Sequence, residues 1–212
     1  MIWFIDIDGC LCDNKKSFEK RCLTWLDNRN IPHEESKEDA YNFGERFGVD
    51  DSLAEACYES GEFAGYYIEP PAEGAIEFIQ LVRSAGDTAV VLTSRNKDRR
   101  IPVTEELVNF LGPDYETRNT VSLEVLTTTW FIKNGIVVDN ILFRNNKAAV
   151  VKEFGSSGSV AIDDDPFILE EYANNGLTAI AMTAEYNKGR DWNYVDNWME
   201  LTCKYITDDL ID

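Results

Sequence analysis

The sequence predicts an α/β fold built on a parallel sheet of about five strands, on three observations. Short apolar runs alternate with amphipathic stretches along most of the chain. Residues able to do chemistry fall where those runs end. One acidic block, lacking any β-branched run, breaks the alternation near the start.

Ile2 to Ile7 reads as a buried first strand. Ala75 to Ser84 reads as a helix, because Ala75, Phe78, Ile79 and Val82 share one helical face; Gly86 ends it, and Thr88 to Leu92 follows as a second buried strand. Thr104 is the N-cap of a helix that stops at Gly112-Pro113, and another helix runs from near Ser122 through Leu123, Leu126 and Trp130 to Gly135. Ile141 to Phe143 is a strand and Lys147 to Phe154 a short helix. Val160 to Ile162 is a strand, Pro166 to Asn175 a helix opened by proline, and Thr178 to Met182 the last strand. The acidic block reads as two or three helices, around Phe18–Arg29, Lys37–Phe47 and Ser52–Phe63, closed by Pro70-Pro71. It divides the chain into a core of residues 1–13 and 72–212 and a small helical domain of residues 14–71. Asp208 to Asp212 reads as a solvated tail.

Composition narrows the function. In 212 residues, 44% hydrophobic and 12% aromatic content exclude a disordered chain. Twenty Lys and Arg against thirty-nine Asp and Glu give a formal charge of −19, which disfavours duplex nucleic acid and anionic membranes as partners. Five cysteines (Cys10, Cys12, Cys22, Cys57, Cys203), odd in number and without CxxC spacing, argue against a disulfide framework or zinc cage and for a reducing compartment. His33 is the only histidine and sits in a polar Pro-His-Glu-Glu stretch, so a Ser-His-Asp triad is not expected. The opening run meets Asp6 at once, which suits neither a signal peptide nor a membrane span, and a cytoplasmic protein is expected.

Four features fall at or near strand ends, where open α/β sheets bind ligands. Asp6-Ile7-Asp8-Gly9 sets two carboxylates two residues apart; in different environments one serves as nucleophile and the other as proton donor, although a lone DxDG also occurs in calcium loops and ordinary turns. Gly9 permits a sharp turn and close backbone approach to a ligand. Thr93-Ser94-Arg95 offers hydroxyls, amides and a guanidinium for a phosphoryl group, or merely a capped turn. Lys147 is either a surface lysine or the cation that offsets charge shared between carboxylate and phosphoryl group. Asp163-Asp164-Asp165-Pro166 packs like charges together, as a hard cation such as Mg²⁺ would allow; N-capping by Asp165 accounts for one carboxylate but not all three.

In this order the four resemble the haloacid dehalogenase-like phosphohydrolase superfamily: FIDIDG for its first motif, VVLT followed by SR for the second, Lys147 for the third and VAIDDD for the fourth. The resemblance spans about 150 residues and implies a Rossmann-like core with a helical cap inserted after the first motif. It implies Asp6 as the nucleophile of an aspartyl-phosphate, Asp8 as acid and then base, and Thr93 and Lys147 as holders of the transferring group. Gly9, Ser94 and Arg95 would line the phosphate site, and Asp6, the Asp8 carbonyl, Asp163 and Asp164 would hold Mg²⁺. Dehalogenase members lack the second acid, so Asp8 implies a phosphatase. Cys10 stands where many members carry threonine.

The tract YYIEPPAEGAIEFIQLVRSAG, with Tyr186-Asn187 and Trp198, is similar to 5′(3′)-deoxyribonucleotidases, and AIDDD with Lys147 to the phosphatase half of phage polynucleotide kinase/phosphatases. No GxxxxGK[ST] loop accompanies it, so a kinase half is not expected. The charge favours a small phosphate monoester, nucleoside monophosphates first, over a polynucleotide. The alternatives are a 3′-phosphatase on nucleic-acid ends, a sugar-phosphate phosphatase, and a non-catalytic binding domain. Of the insert's aromatics Tyr41, Phe43, Phe47, Tyr58, Phe63, Tyr66 and Tyr67, most are expected in its own core, with one or two left to stack on a base.

Overall fold

The structure is a computed structural model that describes residues 1–155 and 158–207; the tail expected at Asp208 to Asp212 lies outside them. In chain order it runs β1 (Ile2–Ile5), α1 (Lys15–Asn28), α2 (Phe43–Phe47), α3 (Leu53–Tyr58), α4 (Ala75–Ser84), β2 (Thr88–Thr93) and β3 (Arg100–Pro102). Then come α5 (Glu105–Leu111), β4 (Thr120–Ser122), α6 (Leu123–Lys133), β5 (Asn140–Phe143), α7 (Lys147–Phe154) and β6 (Val160–Asp163). The chain continues through α8 (Pro166–Asn174), β7 (Thr178–Met182), β8 (Asn193–Val195) and α9 (Trp198–Thr207). No helix among the described residues is long and apolar enough to cross a membrane.

Six strands form one parallel sheet in the order β5-β2-β1-β6-β7-β8. The five expected strands are all present. The sixth, β8, is an edge strand of sequence Asn-Tyr-Val, too short and polar to stand out as an apolar run. β1 is central and buried on both faces, which explains its continuous apolar sequence. Phe4 joins Val90, Leu92 and Ala161 against Val150 and Val151 of α7 and Leu169 and Tyr172 of α8. Trp3, one residue back on the pleat, meets Phe78 of α4 edge-on at 5.1 Å and Tyr205 of α9 at 5.7 Å. The chain builds outward from β1 on one side through β2 and β5, then crosses to β6 on the other. Open α/β sheets place their ligands beyond the carboxyl ends of the strands at such a reversal, here those of β1 and β6.

The chain divides into two compact units: Met1–Asp13 with Pro71–Arg95 and Ile136–Asp212, and Asn14–Pro70 with Asn96–Gly135. The division differs from the expected one, which left residues 96–135 in the core. Ile101, Leu107, Val121, Leu123 and Leu126 from that later segment pack with Trp25, Leu26, Phe43, Phe47 and Phe63 of the earlier one. The antiparallel β3–β4 pair, with Ile101 opposite Val121, belongs to this unit. Thr104 caps α5 as expected, accepting a hydrogen bond from the Leu107 amide at 3.3 Å. Helix α2 is shorter than its pattern suggested: only the last turn of the expected Lys37–Phe47 helix forms, stopped by Gly48 at φ +65°. Phe43, Phe47, Phe63 and Tyr67 lie in the unit's core, and Tyr58 and Tyr66 pack against it; Tyr41 is the exposed one.

Candidate active site

The site grows from the turn that follows β1. The Asp6 amide still donates to the Ile162 carbonyl (3.0 Å), so the sheet itself fixes Asp6. The chain then closes on itself, with the Cys10 and Cys12 amides donating to the Ile7 carbonyl at 3.3 and 2.8 Å. Gly9 makes this turn at φ +77°, and a Cβ there would stand 2.0 Å from Asp164 Oδ2. Only glycine therefore lets the Asp164 carboxylate sit over the turn.

Lys147 is the first residue of α7, whose N-cap Asn146 accepts from the Ala149 amide at 3.0 Å. Its side chain is buried, with Nζ 2.7 Å from Asp6 Oδ1 and 2.8 Å from Asp163 Oδ2. Burial, helped by the charges of Asp163 and Asp8, lifts the Asp6 carboxyl from 3.8 to about 7 against the pull of Lys147. Burial and the neighbouring Asp164 likewise lift Asp163 from 3.8 to about 6. Burial also works against the charge on Lys147, but Asp163 and Asp6 override it and hold the ammonium well above its ordinary 10.5. The lysine is thus the fixed cation, shared between two carboxyls that protonate more readily than usual.

The three consecutive aspartates have three separate jobs. Asp163 is fully engaged: Oδ2 faces Lys147, and Oδ1 accepts from the Asp164 and Asp165 amides, both at 3.1 Å. Asp165 caps α8, accepting from the Phe167 and Ile168 amides at 2.8 and 3.4 Å. Asp164 turns toward the first motif: Asp6, Cys10 and Asp164 offer ligand atoms that all lie within 4.8 Å of one another. Among the described residues this is the cluster with cation-site geometry, and Asp163 beside it pairs with the lysine.

Asp8 faces Arg95, whose Nε and Nη2 donate to its two oxygens at 2.8 and 2.6 Å. Arg95, expected to line a phosphate site, here holds a carboxylate in two-pronged geometry while 7% exposed. Thr93 ends β2, buried, and its hydroxyl accepts from the Arg95 amide at 3.2 Å. Ser94 is exposed at the same strand end. The parallel register, with Ile5 opposite Val91 and Ile162, brings Asp6, Thr93 and Asp163 to the same end of three adjacent strands.

A brace from the end of the chain completes the arrangement. Tyr186 donates to Asp164 Oδ2, and the buried Asn187 side chain donates to the Asp164 carbonyl at 2.9 Å and the Met182 carbonyl at 2.9 Å. The Trp198 indole donates to the Cys10 carbonyl at 3.0 Å. In the sequence these three residues stand out only through a resemblance, because no local pattern tells that they reach back to motifs one and four.

No family model matches the chain, and no curated protein sequence matches it significantly. Solved structures do match. A haloacid dehalogenase-like family hydrolase from Streptococcus pneumoniae superposes with a TM-score of 0.58 at 13% identity, over 96% of this chain and 97% of that one. CbbY from Rhodobacter sphaeroides in complex with phosphate matches with a TM-score of 0.58 at 12% identity, covering 94% and 95%. A CbbY mutant bound to xylulose-1,5-bisphosphate matches with a TM-score of 0.54 at 14% identity, covering 94% and 95%. The chain has the haloacid dehalogenase-like fold, as its four motifs implied.

Proposed function

We propose that this protein is a phosphomonoester hydrolase working through an aspartyl-phosphate on Asp6. The observation that carries the reading is the division between two carboxylates one residue apart from adjacency: Asp6 lies buried on Lys147, and Asp8 is gripped by Arg95. Different partners suit them to different roles, nucleophile and proton carrier. Asp6 attacks phosphorus and the ester P–O bond breaks. Asp8, a carboxylate while Arg95 grips it, takes up a proton from solvent as it leaves the guanidinium, delivers that proton to the departing alcohol oxygen, and then takes one from the water that attacks the aspartyl-phosphate and frees Asp6. Lys147 offsets the negative charge gathered on Asp6 and the phosphoryl oxygens, and Thr93 holds the transferring group.

The donor set fits a hard divalent cation. Asp6 and Asp164 supply carboxylate oxygens, the Asp8 carbonyl is a further candidate, and the absent side chain of Gly9 leaves the space the Asp164 carboxylate needs. When bound there, Mg²⁺ supplies charge neutralisation for the phosphoryl oxygens.

For the substrate we favour a small monoester with one charged group, because a polynucleotide would meet the −19 charge at each added phosphate. Nucleoside monophosphates come first on the resemblance to nucleotidases. Sugar phosphates are the second reading, favoured by a fold relative that binds xylulose-1,5-bisphosphate. The test is phosphate release from ribo- and deoxyribonucleoside 5′- and 3′-monophosphates, sugar phosphates and a 3′-phosphorylated oligonucleotide, with Mg²⁺ and with EDTA. EDTA-sensitive hydrolysis of a monoester is expected. Release unaffected by EDTA would remove the cation, and preference for the oligonucleotide would overturn the charge argument.

Arg95 separates two accounts of the second motif. As a phosphate ligand its loss would raise KM; as the holder of Asp8 its loss lowers kcat. Arg95→Ala is expected to lower kcat about a hundredfold, within the range that a positioned acid or base contributes, with KM nearly unchanged. A rise in KM at constant kcat would return Arg95 to the phosphate.

A further inference from the structure

We propose that the cation centre admits a thiophilic divalent ion, of the Zn²⁺ or Cd²⁺ kind, with the Cys10 sulfur as a direct ligand, in competition with Mg²⁺. The proposal rests on the reading of Asp6 and Asp164 as cation ligands and adds a donor that this reading does not use. Cys10 Sγ lies with the Asp6 and Asp164 carboxylate oxygens inside the same 4.8 Å cluster, 3.9 Å from Asp164 Oδ1. The thiol is 1% exposed, so it faces the cluster and not bulk water. Its backbone is held at both ends, by the Cys10 amide on the Ile7 carbonyl at 3.3 Å and by the Trp198 indole on the Cys10 carbonyl at 3.0 Å. Asp164 is held in turn by Tyr186 and by the gap at Gly9. Sulfur therefore stands beside two oxygens as a placed donor.

The chemistry of the set decides which ions it takes. Mg²⁺ is hard and binds oxygen, so it gains little from the sulfur. Zn²⁺ and Cd²⁺ bind thiolate readily and accept carboxylate as well, so two oxygens and one sulfur suit them. Binding breaks the S–H bond and forms a sulfur–metal bond; the proton passes to buffer, and no electron changes hands. Threonine at position 10 would offer a hydroxyl instead and give no such preference.

The test is titration of the metal-free full chain with Cd²⁺, read by thiolate-to-cadmium charge-transfer absorption and calorimetry, with Mg²⁺ added as competitor. Cys22 and Cys57, whose sulfurs lie 3.8 Å apart in the other unit, offer Cd²⁺ a second thiol pair, so the informative signal is the part that Mg²⁺ displaces. In Cys10→Ser that part is expected to vanish, with Cd²⁺ affinity at this centre down about tenfold or more and Mg²⁺ affinity within about twofold. Cys10→Thr and Cys10→Ala serve as further variants should the serine protein fold poorly. A Mg²⁺-displaceable band that persists without Cys10 overturns the sulfur ligand alone. Failure of both Mg²⁺ and Cd²⁺ to bind at the centre in the parent chain overturns the cation reading beneath it.

Discussion

Asp6→Asn is expected to release no phosphate from any monoester, a loss on the order of 10⁴-fold or more, and to melt no lower than the parent protein. An amide cannot form the acyl-phosphate, so the whole covalent route closes. The stability half of the prediction comes from burial. Asp6 is 6% exposed, and its carboxyl is lifted from 3.8 to about 7, first by burial and then by the charges of Asp163 and Asp8. Between those two values the folded chain keeps a proton that the unfolded chain has lost. Stability contributed at this site therefore falls as pH rises through that window, and the charged carboxylate is a net cost above it. Asparagine is neutral throughout and removes the decline. Melts of metal-free protein at acid and neutral pH, beside phosphate release with Mg²⁺, check both halves. Residual turnover within tenfold of the parent would move the nucleophile elsewhere. A lower melting temperature at neutral pH would mean that the Lys147 pair outweighs the burial of the charge.

The features legible in the sequence are those that local pattern encodes. β1, β2 and β6 are short apolar runs because both of their faces are covered, and the turn residues and acids follow directly from where those runs stop. Thr104 and Asp165 announce their helices because capping is a matter of three or four neighbouring residues. What local pattern does not encode is which distant surfaces meet. Residues 96–135 follow β2 and resemble another core connection, yet Ile101, Leu107 and Val121 find their apolar partners near Trp25 and Phe43, more than fifty residues upstream. The same limit applies inside the site. Asp163, Asp164 and Asp165 are identical in type and consecutive, so the sequence sets the N-cap Asp165 apart but does not tell Asp163 from Asp164. The turn at the end of β6 separates them: Asp163 takes the lysine and two amides, Asp164 leans over Gly9, and Asp165 caps α8. Arg95 was visible as a cation beside a phosphate-like loop, but its choice of Asp8 depends on a contact across 87 positions.

Lys147→Met is expected to damage fold and chemistry together, and a second substitution separates the two. Lys147 is the cation facing Asp6 and Asp163, all three nearly dry. Removing it leaves two carboxyls in a low-dielectric site without a counter-charge, which costs about 3–5 kcal/mol. Phosphate release is expected to fall about a thousandfold, since the ammonium no longer offsets charge on the attacking carboxylate and the phosphoryl oxygens. Adding Asp163→Asn removes one of the stranded carboxylates, while an amide oxygen still accepts from the Asp164 and Asp165 amides that Asp163 satisfies. Lys147→Met/Asp163→Asn is therefore expected to be more stable than Lys147→Met alone, the non-additivity expected of groups in direct contact, and equally inactive. Urea unfolding of the four proteins of the cycle gives the coupling, and phosphate release gives the chemistry. A double variant no more stable than the single one would mean that Asp163 does not depend on the lysine. Recovery of activity along with stability would reduce Lys147 to a structural counter-ion. Stability restored with turnover still lost is the expected outcome, because Asp163 helps fix where the ammonium sits and the proposed chemistry uses its charge on Asp6.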